Sequence, residues 1–423
     1  MSQLNKLCRS LFPSHSVSTA PGAAGRAPKR GGARAAYLAL ALLLLAPACK
    51  SDPAQQQSPD LATPPGPDMG SSALLAVVGS DFTNGALETV GLGSRVVQKD
   101  LDVIDPMSVV RGFGNMLYAI DQSGGLVRQY DASQGFKNPV EFPASKAIMV
   151  KGIEANPHDI YIDAPRQLAY VSLFGAAGTL AVTASRALGI INLKDVQAGI
   201  TSFVPLTAAA ADTDGNPEAD RLVACGDKLY VLLLDQDRNN SYVATGPGRL
   251  AVINLAAAAD PPTYIQLAGQ SPSGLTILPG CTEAIVGSAA DMLGGVQAGL
   301  GGIEVVDLVG KKTRGLAVTD SMLGGNVGSL DAVDAAHVFV ALSVKSGSSY
   351  IYNVYSVDLG TKQKGAVVLG PMSFVPGLRV LGGRLVVLSA GTAGAGQLPV
   401  GVFIGLATGA PLTDPALDVG LPP

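Results

Sequence analysis

From Leu74 onward, short apolar runs alternate with turns rich in Gly, Pro, Asn and Asp. One set of runs stands at 74–79 (LLAVVG), 116–120, 168–173, 229–234, 284–287, 338–342 and 385–389. Each is followed, after a loop, by a second run that often closes on Asp or Asn, at 87–92 (LETVGL), 126–131, 188–192, 250–254, 303–307 (IEVVD), 353–358 and 401–407. Runs of this length, rich in Val, Ile, Leu and Tyr and bounded by turn residues, predict strands. A further short strand opening on Pro or Gly precedes several of the first runs, at 106–114, 156–163, 271–279 and 375–383, and a fourth follows at 262–269 and 365–370. Units of four short strands recurring roughly every 40–60 residues predict propeller blades. The expected fold is therefore all-β, a seven-bladed β-propeller of four-stranded blades. The first unit lacks an innermost strand, and residues 408–423 are expected to supply it and close the ring.

The N-terminal pattern is different. Residues 35–46 (AAYLALALLLLA) form one unbroken apolar run behind a basic stretch. The run is too short to span a bilayer and has the length of a signal-peptide core. It ends at Ala46-Pro47-Ala48-Cys49, whose small residues suit a signal peptidase. The chain is thus expected to be an exported bacterial envelope protein. Two readings of Cys49 stay open: lipidation, as in a lipoprotein, or ordinary cleavage at the same bond. Ala46 stands where lipoprotein signals favour Leu; Lys50 and Ser51 after the cysteine suit the outer membrane. Residues 50–72 are dominated by Pro, Gln, Ser and Asp and cannot bury enough surface to offset their ordering entropy. The expected organisation is a signal peptide at 1–48, an anchor cysteine and disordered tether at 49–72, and a propeller at 73–423.

Charge narrows the partners. Residues 1–48 hold six of the 29 basic residues and no acidic one, so the rest carries 23 basic against 33 acidic side chains. An acidic domain without a basic stripe argues against nucleic acid. Expected partners are the membrane, through the anchor, and an envelope protein or small polar ligand. Trp is absent and aromatics are 5% of the chain, which disfavours propellers built on Trp and sugar-binding faces built on aromatic platforms.

The runs LAYVS and KLYVL, paired with LGIINL, LAVINL and IEVVDL, resemble the YVTN-type bacterial propellers. The resemblance extends over about 350 residues through short, degenerate motifs. It implies an exported lipoprotein, and it leaves enzyme and binder open because lactonase-type propellers are related to this class.

Three loops between second and third strands are long, at 174–187, 235–249 and 288–302. Propeller geometry puts them on one face with the inter-blade loops, and long loops on a rigid scaffold are where binding concentrates. On that face residues 212–220 read DTDGNPEAD. Asp212, Asp214, Asn216, Glu218 and Asp220 alternate as oxygen donors, a pattern that suits Ca2+, although Pro217 replaces the glycine of a sharp calcium turn. A solvated acidic turn is the alternative. His158, Asp235, Asp237, Arg238 and Tyr242 form a candidate ligand face. Only two histidines, His158 and His337, follow Cys49, and no Ser-centred nucleophile elbow occurs. A non-catalytic binding or scaffold role is therefore expected. The alternative is a lactonase-like hydrolase with a carboxylate-held metal at the channel mouth. Cys225 and Cys281 are either a disulfide or two buried thiols, bonding requiring Cα atoms about 4.4–6.8 Å apart.

Overall fold

The computed structural model describes residues 42–44, 73–80, 85–106, 108–122, 125–143, 156–174, 187–237, 242–290, 299–347, 349–392, 400–412 and 417–418. The chain runs through a series of antiparallel meanders. The first sheet is β1 (Leu42–Leu44), β2 (Leu74–Ser80), β3 (Gly85–Gly91) and β4 (Val97–Ile104). The second is β5 (Val109–Phe113), β6 (Met116–Asp121), β7 (Leu126–Asp131) and β8 (Val140–Pro143). The third is β9 (Pro157–Asp163), β10 (Leu168–Leu173), β11 (Ala187–Asn192) and β12 (Ile200–Pro205). The fourth begins with β13 (Ala219–Cys225) and β14 (Lys228–Leu233). A small hairpin, β15 (Gln236–Asp237) and β16 (Val243–Ala244), then precedes its outer strands, β17 (Pro247–Asn254) and β18 (Thr263–Gln270). The fifth is β19 (Pro272–Ile277), β20 (Glu283–Ser288), β21 (Gly302–Asp307) and β22 (Lys312–Thr319), and one helical turn, α1 (Asp320–Leu323), follows it. The last sheet has seven strands: β23 (Asn326–Ala332), β24 (His337–Ser346), β25 (Ser349–Asp358), β26 (Gln363–Leu381), β27 (Arg384–Thr392), β28 (Val400–Leu406) and β29 (Leu417–Asp418).

The innermost strands β1, β5, β9, β13, β19, β23 and β26 each neighbour the next, and β26 returns to β1. The ring is closed around a channel, the arrangement of a β-propeller. The second strands are buried on both faces, which is why their sequences read as continuous apolar runs. Apolar clusters fill the gaps between consecutive sheets. Ile120 and Val127 meet Ile160 and Val171, for example, and Leu250 and Leu267 meet Leu275 and Val286. Leu75 and Val90 of the first sheet pack on Val386 and Val402 of the last, completing the circuit. Within the seven-stranded sheet, Phe339 and Val354 face Leu378 and Val387, so β26 bends and its two halves serve opposing layers. Gly370 takes φ +143° in β26, and a Cβ there would lie 2.1 Å from Asn353 Oδ1.

Two features of the closure depart from the sequence reading. Residues 417–418 pair with β28 as an outer strand of the last sheet and do not complete the first. The innermost place in the first sheet is filled by Leu42–Leu44, in register with Leu75–Val77 and inside the segment read as an export signal. The rest of that segment, Cys49 and the tether at 50–72 lie outside the described residues. No helix among the described residues is long and apolar enough to cross a membrane.

Candidate functional site

The innermost strands carry charged residues that face the channel. Arg111 Nε of β5 forms an ion pair with Asp159 of β9, at 2.6 Å. Asp159 is almost fully buried and also accepts the amides of Ile160 (2.8 Å) and, across to β13, Leu222 (2.9 Å). Asp331 of β23 repeats this device. It accepts the Thr276 hydroxyl of β19 at 2.6 Å, its neighbour Ala332 N–H at 3.0 Å and the Val380 N–H of β26 at 2.8 Å. Each carboxylate therefore clamps the amide one residue past an arginine, Arg221 or Arg379. Those arginines hold their carboxylates loosely: Arg221 Nε is 3.9 Å from Asp220, and Arg379 is 3.8 Å from Asp331. Burial lowers the Arg379 pKa below the ordinary arginine range, with Arg221 and Arg111 adding to the effect and Asp331 opposing it.

His158 stands at the start of β9, at the mouth. Its Nδ1 is 3.1 Å from Asp220 Oδ1, and its ring stacks on Phe174 at 4.1 Å between centroids. Burial raises the Asp220 pKa, but the His158 hydrogen bond and charge, Arg221 and Arg111 together outweigh it and hold the carboxyl low. Two adjoining cavities, of ≈320 and ≈190 Å³, occupy the channel, both bordered by Arg111 and Arg379. His158, Asp220 and Arg221 border the smaller.

The acidic loop reaches this mouth, but its alternating donors do not gather at one point. A ladder of local bonds curls the loop: Asp214 N–H to Asp212 at 3.1 Å, then Asn216 N–H to Asp214 at 2.7 Å. Asn216 donates its amide to the Phe174 carbonyl at 3.0 Å. Glu218, fully buried, accepts the Gln236 N–H at 2.7 Å. Asp220 turns into the channel. Asp212 and Asp214 are instead joined by Asp237, the three offering carboxylate oxygens within 4.8 Å of one another. Burial, then the charges of Asp214 and Asp237, push the Asp212 carboxyl up to about 6, against the amides of Asp214 and Gly215.

The expected ligand face divides in the same way. Asp235 is fully buried, and Arg249 donates to it from Nε at 2.7 Å and Nη2 at 2.5 Å. Arg249 also binds the Thr207 carbonyl at 2.7 Å, so the pair fastens the acidic loop to the sheet. Asp237 is buried and accepts the Thr213 hydroxyl at 2.7 Å. Tyr242 is half-buried in the hairpin turn, and Arg238 lies outside the described residues, as does most of the long loops 174–187 and 288–302. Cys225 and Cys281 are bonded, Cα–Cα 5.8 Å, on the opposite face. They do not occupy equivalent points. Cys225 ends β13 at a two-residue turn, whereas Cys281 sits in the longer turn 278–282, which carries it across to the neighbouring sheet.

Arg111, Arg221, Arg379, Asp159 and Asp331 were not legible as a site in the sequence. The only signal is a charge inside each otherwise apolar inner strand, as in VVRGF, ADRLVAC and PHDIYID.

No protein-family model matches the chain, and no curated protein does. Among solved structures it is similar to Kuenenia stuttgartiensis hydrazine synthase, at 11% identity over 65% of this chain and 74% of that one, TM-score 0.45. It is similar to a chain of a mitotic checkpoint complex, at 13% identity over 81% and 94%, TM-score 0.49. A third likeness is to the computationally designed Ika8 protein, at 13% identity over 76% and 82%, TM-score 0.43.

Proposed function

We propose that this protein is a non-catalytic binding propeller of seven blades, exported and held at the bacterial cell envelope through Cys49. The blade count follows if the bent β26 serves two blades, as outer strand of one and inner strand of the next. The YVTN-type likeness favours the same organisation, since LAYVS and KLYVL fall in β10 and β14, the buried second strands.

The observation that carries the binding reading is the state of the carboxylates. Asp159 and Asp331 are occupied by backbone amides, Asp220 by His158 and Glu218 by the Gln236 amide. A lactonase-like metal at the channel mouth needs several of these oxygens turned toward one point. What the channel offers instead is guanidinium groups around an open cavity. The test is turnover of a panel of lactones by the full chain, with Ca2+ or Zn2+ added. No hydrolysis is expected, and metal-dependent hydrolysis abolished by Asp220→Asn would establish the hydrolase reading. For the anchor, palmitate labelling is expected in the wild type and lost in Cys49→Ser. Calcium enters this reading only at Asp212, Asp214 and Asp237: a melting temperature raised by Ca2+ and insensitive to it in Asp214→Ala supports it, and no shift in the wild type removes it.

A further inference from the structure

We propose that the channel binds a small dianion, a phosphate or a dicarboxylate, between Arg111, Arg221 and Arg379. The proposal rests on the binding reading above and names its ligand class. Three guanidiniums from three separate sheets border one cavity. A planar guanidinium presents five donors in a fork matched to carboxylate and phosphate oxygens, and convergence of three such forks is costly without an anion between them.

The neighbouring carboxylates fill that role for Arg111 alone, whose Nε pairs with Asp159 at 2.6 Å. Asp159 gives both oxygens to backbone amides, with Arg111 at one side, and Asp331 gives both to amides and the Thr276 hydroxyl. Asp220 directs one oxygen to His158. Arg221 and Arg379 stand 3.9 and 3.8 Å from their carboxylates, beyond hydrogen-bonding distance. Arg221 Nε is buried with no hydrogen-bond partner, which leaves a charged donor desolvated and unmet. Burial lowers the Arg379 pKa first, with Asp331 opposing it, and the charges of Arg221 and Arg111 lower it further, a repulsion that an intervening anion relieves. The ≈190 and ≈320 Å³ cavities suit a small molecule.

The test is isothermal titration calorimetry of the full chain with inorganic phosphate and with succinate, for wild type, Arg221→Gln, Arg379→Gln and Arg221→Lys. Saturable binding of one probe by the wild type is expected. It should weaken at least tenfold in both glutamine variants and less in Arg221→Lys, which keeps the charge and loses the fork. Tighter phosphate binding assigns the phosphate class, and tighter succinate binding the carboxylate class. Thermal unfolding of each variant accompanies the titration. Arg221→Gln is expected to melt with the wild type, because Arg221 makes no hydrogen bond through Nε and only a distant ion pair. Should Arg379→Gln fail to fold, Arg221→Gln alone decides. Binding of neither probe by the wild type, or equal binding by Arg221→Gln, overturns the proposal. Lactone turnover by the wild type would overturn the binding reading itself, whereas an inert protein that takes neither anion loses only the anion assignment.

Discussion

Two joints of the ring are built on the same residue and finished differently. The fourth and fifth sheets meet over Glu304, and the last and first meet over Glu88. Each glutamate lies opposite a valine, Val286 or Val77, in its ladder. Each lies two and four residues before an apolar pair, Val306 and Leu308 or Val90 and Leu92, that packs on the preceding sheet. The amides of Leu308 and Leu92 both close at 2.9 Å on the strand before, at Thr282 and Ala73. Both carboxyls are fully buried. Glu304 is met by the amides of Ala268 (2.9 Å) and Gly269 (3.1 Å) and by the Thr313 hydroxyl (2.5 Å). Glu88 has no hydrogen-bond partner for either oxygen among the described residues. The place of Thr313 is taken by Val97. Burial pushes both pKa values up. For Glu88 it reaches about 8, helped by Asp100 and Asp418 and opposed by Lys99. A carboxylate can be buried cheaply where donors meet it, and is kept protonated where none does.

The largest effect is expected at the finished joint. Glu304→Ala removes the partner of one buried and two half-buried donors and should cost about 5 kcal/mol in urea unfolding at neutral pH, from roughly 1–3 kcal/mol for each. A loss below about 1 kcal/mol would mean the three bonds contribute little. The same joint carries the disulfide, and its 56-residue separation implies about 4 kcal/mol of stability. Cys225→Ser with Cys281→Ser should lower the unfolding free energy by nearly that amount, and the wild type in reductant should match it.

At the unfinished joint the effect appears as a pH slope. The folded state holds a proton on Glu88 up to about pH 8, while the unfolded chain releases it near 4.5. The folded state therefore binds more protons in between, and stability falls as pH rises through that window, by about 3.5 kcal/mol from pH 5 to 8, at up to about 1.4 kcal/mol per unit with less at the two ends. Glu88→Gln should flatten the slope; a slope unchanged in this variant would assign it to other groups. The smallest effect is expected at the rim of that joint. Lys99 and Asp418 pair at 3.1 Å in solvent, and Lys99→Ala should change stability by less than about 0.5 kcal/mol.

Much of the fold was legible because the second and third strands are long, buried and apolar. The sequence strands at 168–173 and 229–234 coincide with β10 and β14 nearly residue for residue. The inner strands were harder. β13 and β23 escaped because ADRLVAC carries two adjacent charges near its start and NVGSLDA mixes Asn, Gly, Ser and Asp with three apolar residues, the price of lining a polar channel. The site was hidden for the same reason. Arg111 and Arg379 are 268 positions apart in the chain and meet only because the ring closes. The acidic loop stood out by its composition, yet regular alternation said nothing of direction. Asp220 belongs to the channel, Glu218 to the small hairpin, and Asp237, from a different segment, joins Asp212 and Asp214.

The strand Leu42–Leu44 makes maturation and architecture a single question. A peptidase cutting before Cys49 would remove β1 from the protein it releases. The precursor would then be a closed circle and the mature protein a circle with a slot, its lip the backbone of Leu75, Ala76 and Val77. Amide exchange at those of the three residues whose N–H faces β1, slow in the precursor and fast after processing, would record the slot opening.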